Sequence, residues 1–433
     1  MKTSGILWVS LILILIVLPA TVSGNDLEIL SMGVARLDIT PSEPVRLAGY
    51  GARKGMSTGI HDELYVRVVA FEQGKKRLVL VSTENLGFYS GTFPYMLDAI
   101  NAEFGIAPEE ILLSAIHTHS APTLTLDAEK VHPNNVRYTE FLRGRIIEAI
   151  RMAMSDLQPV SVGVGTGSSS AGVNRREERP NGTIVLGRNP QGPHDKEVLV
   201  MSFRGPEGQS RGLLYNYATH ATSLGGANLQ ISGDLIGIAS SLVEVRQQGT
   251  PLAAAFIGAS GDIDPWYRVL PGFKTENGWV PETELLGRLL AVEVAHVLEG
   301  IDTYRAGATL GSMYKTLSLP GKKRGSRFVD ECEELPPVPL RLSAARIGDI
   351  GILGMDAEVL TEIGLAIKKG SPFAHTLIVT HCNGAQGYLP PKHLYKEGGY
   401  EIDTSPFAPG AGEIAVKEAL NLLYELADSQ SPR

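Results

Sequence analysis

The chain has 433 residues, of which 43% are hydrophobic and 20% are charged. This composition is typical of a globular protein with one large domain or two smaller ones. The 39 Lys and Arg residues are outnumbered by 47 Asp and Glu residues, so the formal net charge is −8. With this charge and no basic cluster, the sequence argues against a nucleic-acid partner.

Residues 1–24 have the pattern of a secretory signal peptide. Lys2 precedes an apolar stretch from Ile6 to Leu18, and the small residues Ser23 and Gly24 follow. The stretch is shorter than the roughly 20 residues that span a bilayer. We therefore predict a secreted or periplasmic protein, with a membrane anchor as the alternative if this segment is not cleaved. No later segment reads as a transmembrane span.

Apolar strand patterns and amphipathic helix patterns alternate along the chain. The strand-like stretches "LYVRVVAF", "RLVLVS" and "ILLSAI" alternate with the helix-like stretches "TFPYMLDAINAEF" and "TEFLRGRIIEAIRMAMSDL". The alternation continues through "GLLYNYAT", a helix from Asp234 to about Gln248, the strand "LAAAFIG" and a helix after Pro281. This order predicts an α/β fold.

Residues 301–340 are rich in charge and proline, and we expect them to form a connection. Beyond them, the strand "DIGILGM" leads to Glu358, a helix, the strand "HTLIVT" and His381. The earlier strand "RLVLVST" leads in the same order to Glu84, a helix, "ILLSAI" and His117. This shared order predicts an internal duplication, with chance alternation in an α/β chain as the alternative.

His117 and His119 follow the strand "ILLSAI" and are separated by one residue. Strand side chains alternate with period two, so both imidazoles are expected on one face. They could bind a metal, bind a substrate or face water, and their spacing does not choose. Other polar side chains also follow strands, where ligand sites in α/β sheets gather; they are His220, Asp262, Asp264, Glu358 and His381.

Several other readings are disfavoured. The sequence contains no HExxH, Walker A or GxSxG motif. With only Cys332 and Cys382, it is not a disulfide scaffold, although an exported protein could form one disulfide between them. Five other histidines are expected to be structural because they lie in ordinary helix, loop or strand positions; they are His132, His194, His296, His375 and His393.

Several stretches together resemble the catalytic domain of the neutral (non-lysosomal) ceramidases, which are zinc-dependent amidohydrolases. They are "GVARLDIT", "GIHDELYVRVVAF", "SAIHTHSAP", "GVNR", "THATS" with "SGDLIG", "GASGDIDP", "DAE" and "GYLPPKHLYKEGGY", spread over most of residues 32–426. The resemblance implies mixed β-sheets flanked by helices in one catalytic domain over residues 28–433. The immunoglobulin-like carboxyl-terminal domain usual in the family is not expected in this chain.

The resemblance also implies a set of site residues. One zinc ion per chain would be bound by His117, His220, Glu358 and Tyr388, while His119, Arg175 and Tyr400 would line the reaction centre. Tyr388 has no independent signal, because an aromatic residue after a glycine is usually packing. Asp264 stands where the family has a serine. Because of this difference, the resemblance does not determine the substrate.

The resulting expectation is an exported zinc-dependent hydrolase that cleaves the amide bond of a small-molecule or lipid-like N-acyl substrate with zinc-activated water. In this scheme Tyr400 and Arg175 stabilise the oxyanion, and His119 donates a proton to the leaving nitrogen. Asp264 could orient the water, bind a hydroxylated substrate or share a proton. Two alternatives remain open, namely a hydrolase of the same fold acting on a polar ester, lactone or acylated sugar, and a binding protein without chemistry.

Overall fold

The computed structural model describes residues 29–89, 91–247, 252–266, 281–326, 328 and 333–429. The predicted signal peptide, Cys332 and Gln248 lie outside these residues. Among the described residues, no helix is both long and apolar enough to cross a membrane.

The described chain forms three units, and the sheet of each unit contains four strands of the same topology. In each unit three strands pair antiparallel, a helix follows, and a fourth strand returns parallel to the third. The first unit contains the strands β1 (Ser31–Asp38), β2 (Gly59–Ile60), β3 (Tyr65–Gln73), β4 (Lys76–Thr83) and β5 (Ile111–Ala115), and the helices α1 (Thr92–Phe104) and α2 (Pro133–Ser155). Its sheet has the order β5-β4-β3-β1-β6, in which the short strand β6 (Gln158–Pro159), where the second unit begins, pairs with β1 at the edge.

The second and third units repeat this plan. The second contains β6 (Gln158–Pro159), β7 (Ser161–Ser168), β8 (Gly172–Glu178), β9 (Ile184–Asn189), β10 (Glu197–Arg204), β11 (Ser210–Tyr217), β12 (Gln230–Ile231), α3 (Asp234–Arg246), β13 (Leu252–Ile257), β14 (Ile263–Pro265) and α4 (Pro281–Glu299). The third contains β15 (Leu310–Lys322), β16 (Glu334–Ile347), β17 (Ile350–Met355), β18 (Glu358–Val359), α5 (Thr361–Gly370), β19 (His375–Val379), β20 (Tyr388–Leu389), α6 (Tyr400–Thr404) and α7 (Ala411–Asp428). Their sheets have the orders β13-β11-β10-β7 and β19-β17-β16-β15. In each sheet the first three strands in chain order pair antiparallel, and the fourth pairs parallel with the third.

The three sheets share one central core, and each has an outer core of its own. On β3, Val69 and Phe71 face the central core while Val68 and Ala70 face the helices, as the period of two requires. The long helices α2, α4 and α7 each cover the first two strands of their own sheet. Because both faces of every sheet are covered, the strands read as nearly continuous apolar runs.

Hydrogen bonds also join the sheets at the ends of their third and fourth strands. The Ser82 hydroxyl donates to Ala255 O at 2.7 Å, which links the first and second units. The Asn216 amide donates to Ile378 O at 2.9 Å, which links the second and third. Leu113 N donates to the Asn383 side chain at 2.8 Å and closes the circle between the third and first. The carboxyl ends of these strands therefore meet in one region.

The structure confirms the predicted α/β class with mixed sheets flanked by helices, and the duplicated order of strand, helix and strand. It adds the second unit as a further copy. The sequence pattern did not reveal this copy because His220 follows its third strand, whereas an acidic residue follows the third strand in the other two units.

Two element predictions need correction. The segment expected to be a connection contains instead the two long strands β15 and β16, which pair along their length. Leu317, Leu319 and Leu340 give these strands a buried face despite their charge and proline content. Helix α2 begins at Pro133, earlier than the pattern indicated, because the His132 side chain caps it by accepting a hydrogen bond from Asn134 N at 3.1 Å.

Cys382 is buried next to the central core, and it forms no disulfide with a described residue, while Cys332 lies outside the described part of the chain. Burial raises the pKa of this thiol, so it remains protonated.

Candidate metal centre

Residues from all three units converge where the strands end. His117 follows β5 of the first unit, His220 follows β11 of the second, and Glu358 and Tyr388 belong to β18 and β20 of the third. These two short strands pair parallel with Glu358 directly opposite Tyr388. Glu358 Oε2 lies 3.6 Å from His117 Nε2 and 3.6 Å from His220 Nε2.

Backbone carbonyls set the tautomers of both imidazoles. His117 Nδ1 lies 2.7 Å from Leu86 O, and His220 Nδ1 lies 2.8 Å from Ser260 O and 3.0 Å from Ile263 O. A carbonyl only accepts, so each Nδ1 carries the proton and each Nε2 keeps its lone pair. Both lone pairs therefore point toward Glu358. Such backbone partners are the usual means of orienting histidine ligands.

The charge state of this cluster fits a bound cation. Burial lowers the pKa of both His117 and His220, so the imidazoles are neutral near pH 7. Burial opposes ionisation of Glu358, but the neighbouring imidazoles and the Tyr388 hydroxyl outweigh it and lower the pKa of this carboxyl. Glu358 Oε2 is buried and has no hydrogen-bond partner among the described residues. A carboxylate oxygen facing two imidazole lone pairs is stabilised by a divalent metal ion.

His117 and His119 do converge, but for a different reason than the one predicted. β5 ends at Ala115, and His117 has a left-handed backbone with φ of 60°, so strand alternation does not apply there. The two Nε2 atoms lie 3.3 Å apart, and His119 Nδ1 is buried without a partner among the described residues. His117, His119 and His220 form one group in which one ring nitrogen of each lies within 4.8 Å of the other two. Geometry alone therefore permits His119 to be either a ligand or a substrate-facing group.

His381 belongs to the same buried cluster. Its ring stacks on that of His117, with centroids 3.7 Å apart and planes 12° from parallel. Both of its ring nitrogens are buried without hydrogen-bond partners among the described residues, and one lies within 4.8 Å of ligand atoms of His117 and Glu358. In the sequence, the only indication that His381 belongs to a site was its position directly after a predicted strand.

Arg175 connects Tyr388 and His220 to a buried acidic network. Its guanidinium donates to the Tyr388 hydroxyl at 3.1 Å and to Glu401 at 2.7 Å, and its Nη1 lies 3.4 Å from His220 Nε2. The same group donates to Asp264 at 3.2 Å. Burial disfavours the cation, but Tyr388 and Glu401 outweigh this and raise the pKa of Arg175. The arginine therefore keeps its charge and fixes the phenol of Tyr388.

Asp264 lies behind Arg175. It is fully buried in β14, with Arg175 on one carboxylate oxygen and Arg188 Nη1 3.6 Å from the other. It is not among the described residues that line the pocket around His117. This location makes Asp264 the counter-ion of a site arginine.

A small pocket opens onto the cluster. It has a volume of about 260 Å³, and His117, His119, Glu358, Tyr388 and Tyr400 are all on its wall. Tyr400 begins helix α6, is 45% exposed, and packs edge-on against Tyr388 with ring centroids 5.7 Å apart. The structure thus brings the seven residues implied by the resemblance into one region, with Asp264 in contact with Arg175.

Two residues of this region were not predicted. The Tyr89 hydroxyl lies 3.5 Å from Glu358 Oε1, and Glu401 accepts from both Arg175 and Arg176 at 2.7 and 2.9 Å. Tyr89 has no sequence signal, because it lies in an irregular segment between β4 and α1. Glu401 has only a weak one, its position next to Tyr400.

Comparison with known proteins identifies the family and the fold of this chain. Residues 30–266 match the sequence profile of the neutral/alkaline non-lysosomal ceramidase, N-terminal. The chain belongs to this ceramidase family. The matched segment includes His117, His119, Arg175, His220 and Asp264 and stops before Glu358.

Family members named as neutral ceramidases are similar over much of this chain. The neutral ceramidase of Pseudomonas aeruginosa is 26% identical over 379 residues, which is 84% of this chain and 54% of that relative. The neutral ceramidase of Oryza sativa is 27% identical over 261 residues, which is 58% of this chain and 33% of that relative. The chain therefore spans about half or less of the length of these curated relatives.

Solved structures confirm the family fold. The crystal structure of neutral ceramidase from Pseudomonas aeruginosa matches with a TM-score of 0.77 at 19% identity, covering 94% of this chain and 76% of that one. A structure described as ceramidase complexed with C2 matches with a TM-score of 0.78 over 93% of this chain. At this identity the likeness concerns the fold.

Proposed function

We propose that this ceramidase-family chain is an exported zinc-dependent hydrolase that cleaves the amide bond of an N-acyl substrate. One observation carries the proposal: Glu358 Oε2 lies 3.6 Å from the Nε2 atoms of both His117 and His220, and their lone pairs face it. Nitrogen and oxygen donors of this kind are preferred by zinc. Tyr388 completes the proposed set of ligands for one ion.

A zinc ion held there would lower the pKa of a water molecule and polarise a carbonyl oxygen. The residues of the chain have complementary roles in this proposal. Burial lowers the pKa of His119, so its neutral imidazole can take a proton from the attacking water and deliver it to the leaving nitrogen. The Tyr400 hydroxyl, on the pocket wall, donates to the developing oxyanion.

Arg175 acts from behind the ligands in this scheme. It is 4% exposed and holds the Tyr388 hydroxyl at 3.1 Å, so we assign it to orienting that phenol and contributing positive charge to the oxyanion site. Asp264 and Glu401 keep it in position through hydrogen bonds of 3.2 and 2.7 Å. With arginines beside both of its carboxylate oxygens, Asp264 is assigned this positioning role and not proton sharing or substrate binding.

The proposal includes export, supported by the signal-like residues 1–24, and one catalytic domain over residues 28–433, supported by the core that the three units share.

Three histidine variants test the metal and the chemistry separately. We expect His117→Ala to lose both bound zinc and turnover, because it removes a ligand. His119→Ala is expected to keep about one zinc per chain but to lose turnover by about 10²-fold or more, as removal of a general acid–base does. His296→Ala, on the exposed side of α4, is the matched control. The measurements are zinc per chain by elemental analysis and hydrolysis of a panel of N-acyl compounds.

The outcomes separate the alternatives. Full turnover of metal-free protein would contradict a zinc hydrolase. Zinc bound at one per chain with no turnover across amides and esters would instead support a binding protein. Loss of zinc in His119→Ala would move His119 into the ligand set.

A second candidate function is hydrolysis of a polar acylated substrate such as an acylated sugar, ester or lactone. A cavity of about 870 Å³ adjoins Tyr400, and its wall is rich in groups that bind hydroxyls, including Asn174, Arg176, Glu178 and Asn189. A ceramide has two long alkyl chains, which this wall does not favour. Turnover of an N-acyl amino sugar with no turnover of ceramide would support this candidate; the reverse preference would exclude it.

A further inference from the structure

Arg324 is on the rim of the pocket that contains His117 and Glu358. Its guanidinium donates to Gln386 O at 3.0 Å. A Cβ built on Gly387 would lie 3.5 Å from Arg324 Nη2, so the guanidinium lies beside Gly387. Gly387 O in turn accepts from Glu358 N at 2.8 Å. The charge of Arg324 is thus held one residue away from Tyr388, against the backbone that positions Glu358.

The charge of Arg324 is not neutralised by a carboxylate among the described residues. Within the described part of the chain, the guanidinium makes one hydrogen bond, to the backbone carbonyl of Gln386, and forms no ion pair. The other guanidinium of the site, Arg175, differs in this respect because Glu401 and Asp264 both pair with it. Among the described residues that line the pocket, Arg324 is therefore the one guanidinium, and only one of its N–H groups donates to a described residue.

We propose that Arg324 binds an anionic group of the substrate, a carboxylate, phosphate or sulfate, placed a few bonds from the scissile carbonyl. A guanidinium recognises these groups through paired N–H donors. The proposal rests on the hydrolase function proposed above and narrows its substrate class to anionic N-acyl compounds, such as N-acyl amino acids. A carboxylate on the leaving amine would reach the rim while the carbonyl lies over the cluster.

The test compares substrates that differ only in charge. N-acetylglycine is paired with the neutral N-acetylglycinamide, and N-acetylethanolamine phosphate is paired with N-acetylethanolamine; the two pairs separate a carboxylate from a phosphate preference. For each pair the ratio of kcat/KM, anionic over neutral, is measured in the natural chain, Arg324→Gln and Arg324→Glu. Lys323→Gln is the matched control, since Lys323 is exposed, pairs with Glu333 at 3.1 Å and is not on the pocket wall.

A charge-assisted hydrogen bond contributes about 10- to 100-fold in affinity or rate. We expect the anionic-to-neutral ratio to fall by that factor in Arg324→Gln, to fall further in Arg324→Glu, and to stay unchanged in Lys323→Gln. Zinc content should be the same in all four proteins. Equal ratios in the natural chain and Arg324→Gln would overturn the proposal.

A binding measurement keeps this inference separate from the proposed function. If the natural chain hydrolyses none of the four compounds, the hydrolase proposal fails on these substrates, and calorimetric binding of N-acetylglycine is then compared. Binding that weakens at least tenfold in Arg324→Gln supports anion recognition by Arg324. Unchanged binding, or no binding to the natural chain, contradicts it.

Discussion

Replacing Gly49 by alanine should displace His119 without touching a proposed metal ligand. Gly49 has φ of +91°, and a Cβ there would lie 2.2 Å from His119 Nδ1. Ordinary contact begins near 3.4 Å, so the imidazole would have to retreat by about 1.2 Å. The backbone of His119 cannot follow easily, because its carbonyl accepts from Arg53 at 2.7 Å and its ring packs against Tyr50.

A misplacement of about 1 Å in a catalytic group costs roughly 10²-fold in rate. We therefore expect Gly49→Ala to lower kcat/KM by about 10²-fold while zinc remains near one per chain. The left-handed backbone adds a loss of about 1–2 kcal/mol in the free energy of unfolding. Gly51→Ala is the matched control, because a Cβ there has no atom within 4 Å.

The assay is steady-state hydrolysis of an N-acyl substrate, with zinc analysis and denaturant unfolding on the same preparations. Unchanged kcat/KM in Gly49→Ala would refute the role of His119 in proton transfer. Loss of zinc in Gly49→Ala would indicate that His119 is a ligand.

Two further predictions concern stability. Arg67→Met should lower the free energy of unfolding, measured by denaturant titration, by about 3–5 kcal/mol, because it leaves two buried carboxylates, Glu84 and Glu244, without their shared partner. The control Arg137→Met breaks an exposed ion pair and should lower the free energy of unfolding by less than about 1 kcal/mol in the same titration. Burial lowers the pKa of His194 to about 4 in the folded protein, compared with about 6.5 in the unfolded chain. Between these pH values the unfolded chain binds more protons, so the free energy of unfolding should fall as the pH drops from 6.5 to 4. His194→Gln should reduce that slope, and an unchanged slope would contradict the assignment.

The α/β class and most elements could be predicted because they depend on local patterns. The stretch predicted as the first helix corresponds to α1, residues Thr92–Phe104, since its apolar period and the closing Gly105 are both local. The strands β15 and β16 could not be read in this way. Their charged and proline-rich sequence became strand only because pairing with each other and with β17 buries one face.

The candidate site was only partly readable. The sequence identified His117, His119 and His220 as candidates because they follow strands, whereas Tyr388 was identified by the family resemblance alone. Sequence spacing also misjudged why the two neighbouring histidines converge, because a left-handed residue at His117 ends the strand geometry. Asp264 was visible as an unusual carboxylate, but its contact with Arg175 depends on the pairing of β14 with β8.

The sequence by itself determined the α/β class, the family and the chemical types of the side chains available for a metal site. Only the tertiary structure decided that these side chains meet. Each unit contributes its donors from strand ends that lie far apart along the chain, and they come together because the inner faces of three sheets bury one shared core. The lone pairs of His117 and His220 then face the Glu358 carboxylate, an arrangement that a divalent cation stabilises.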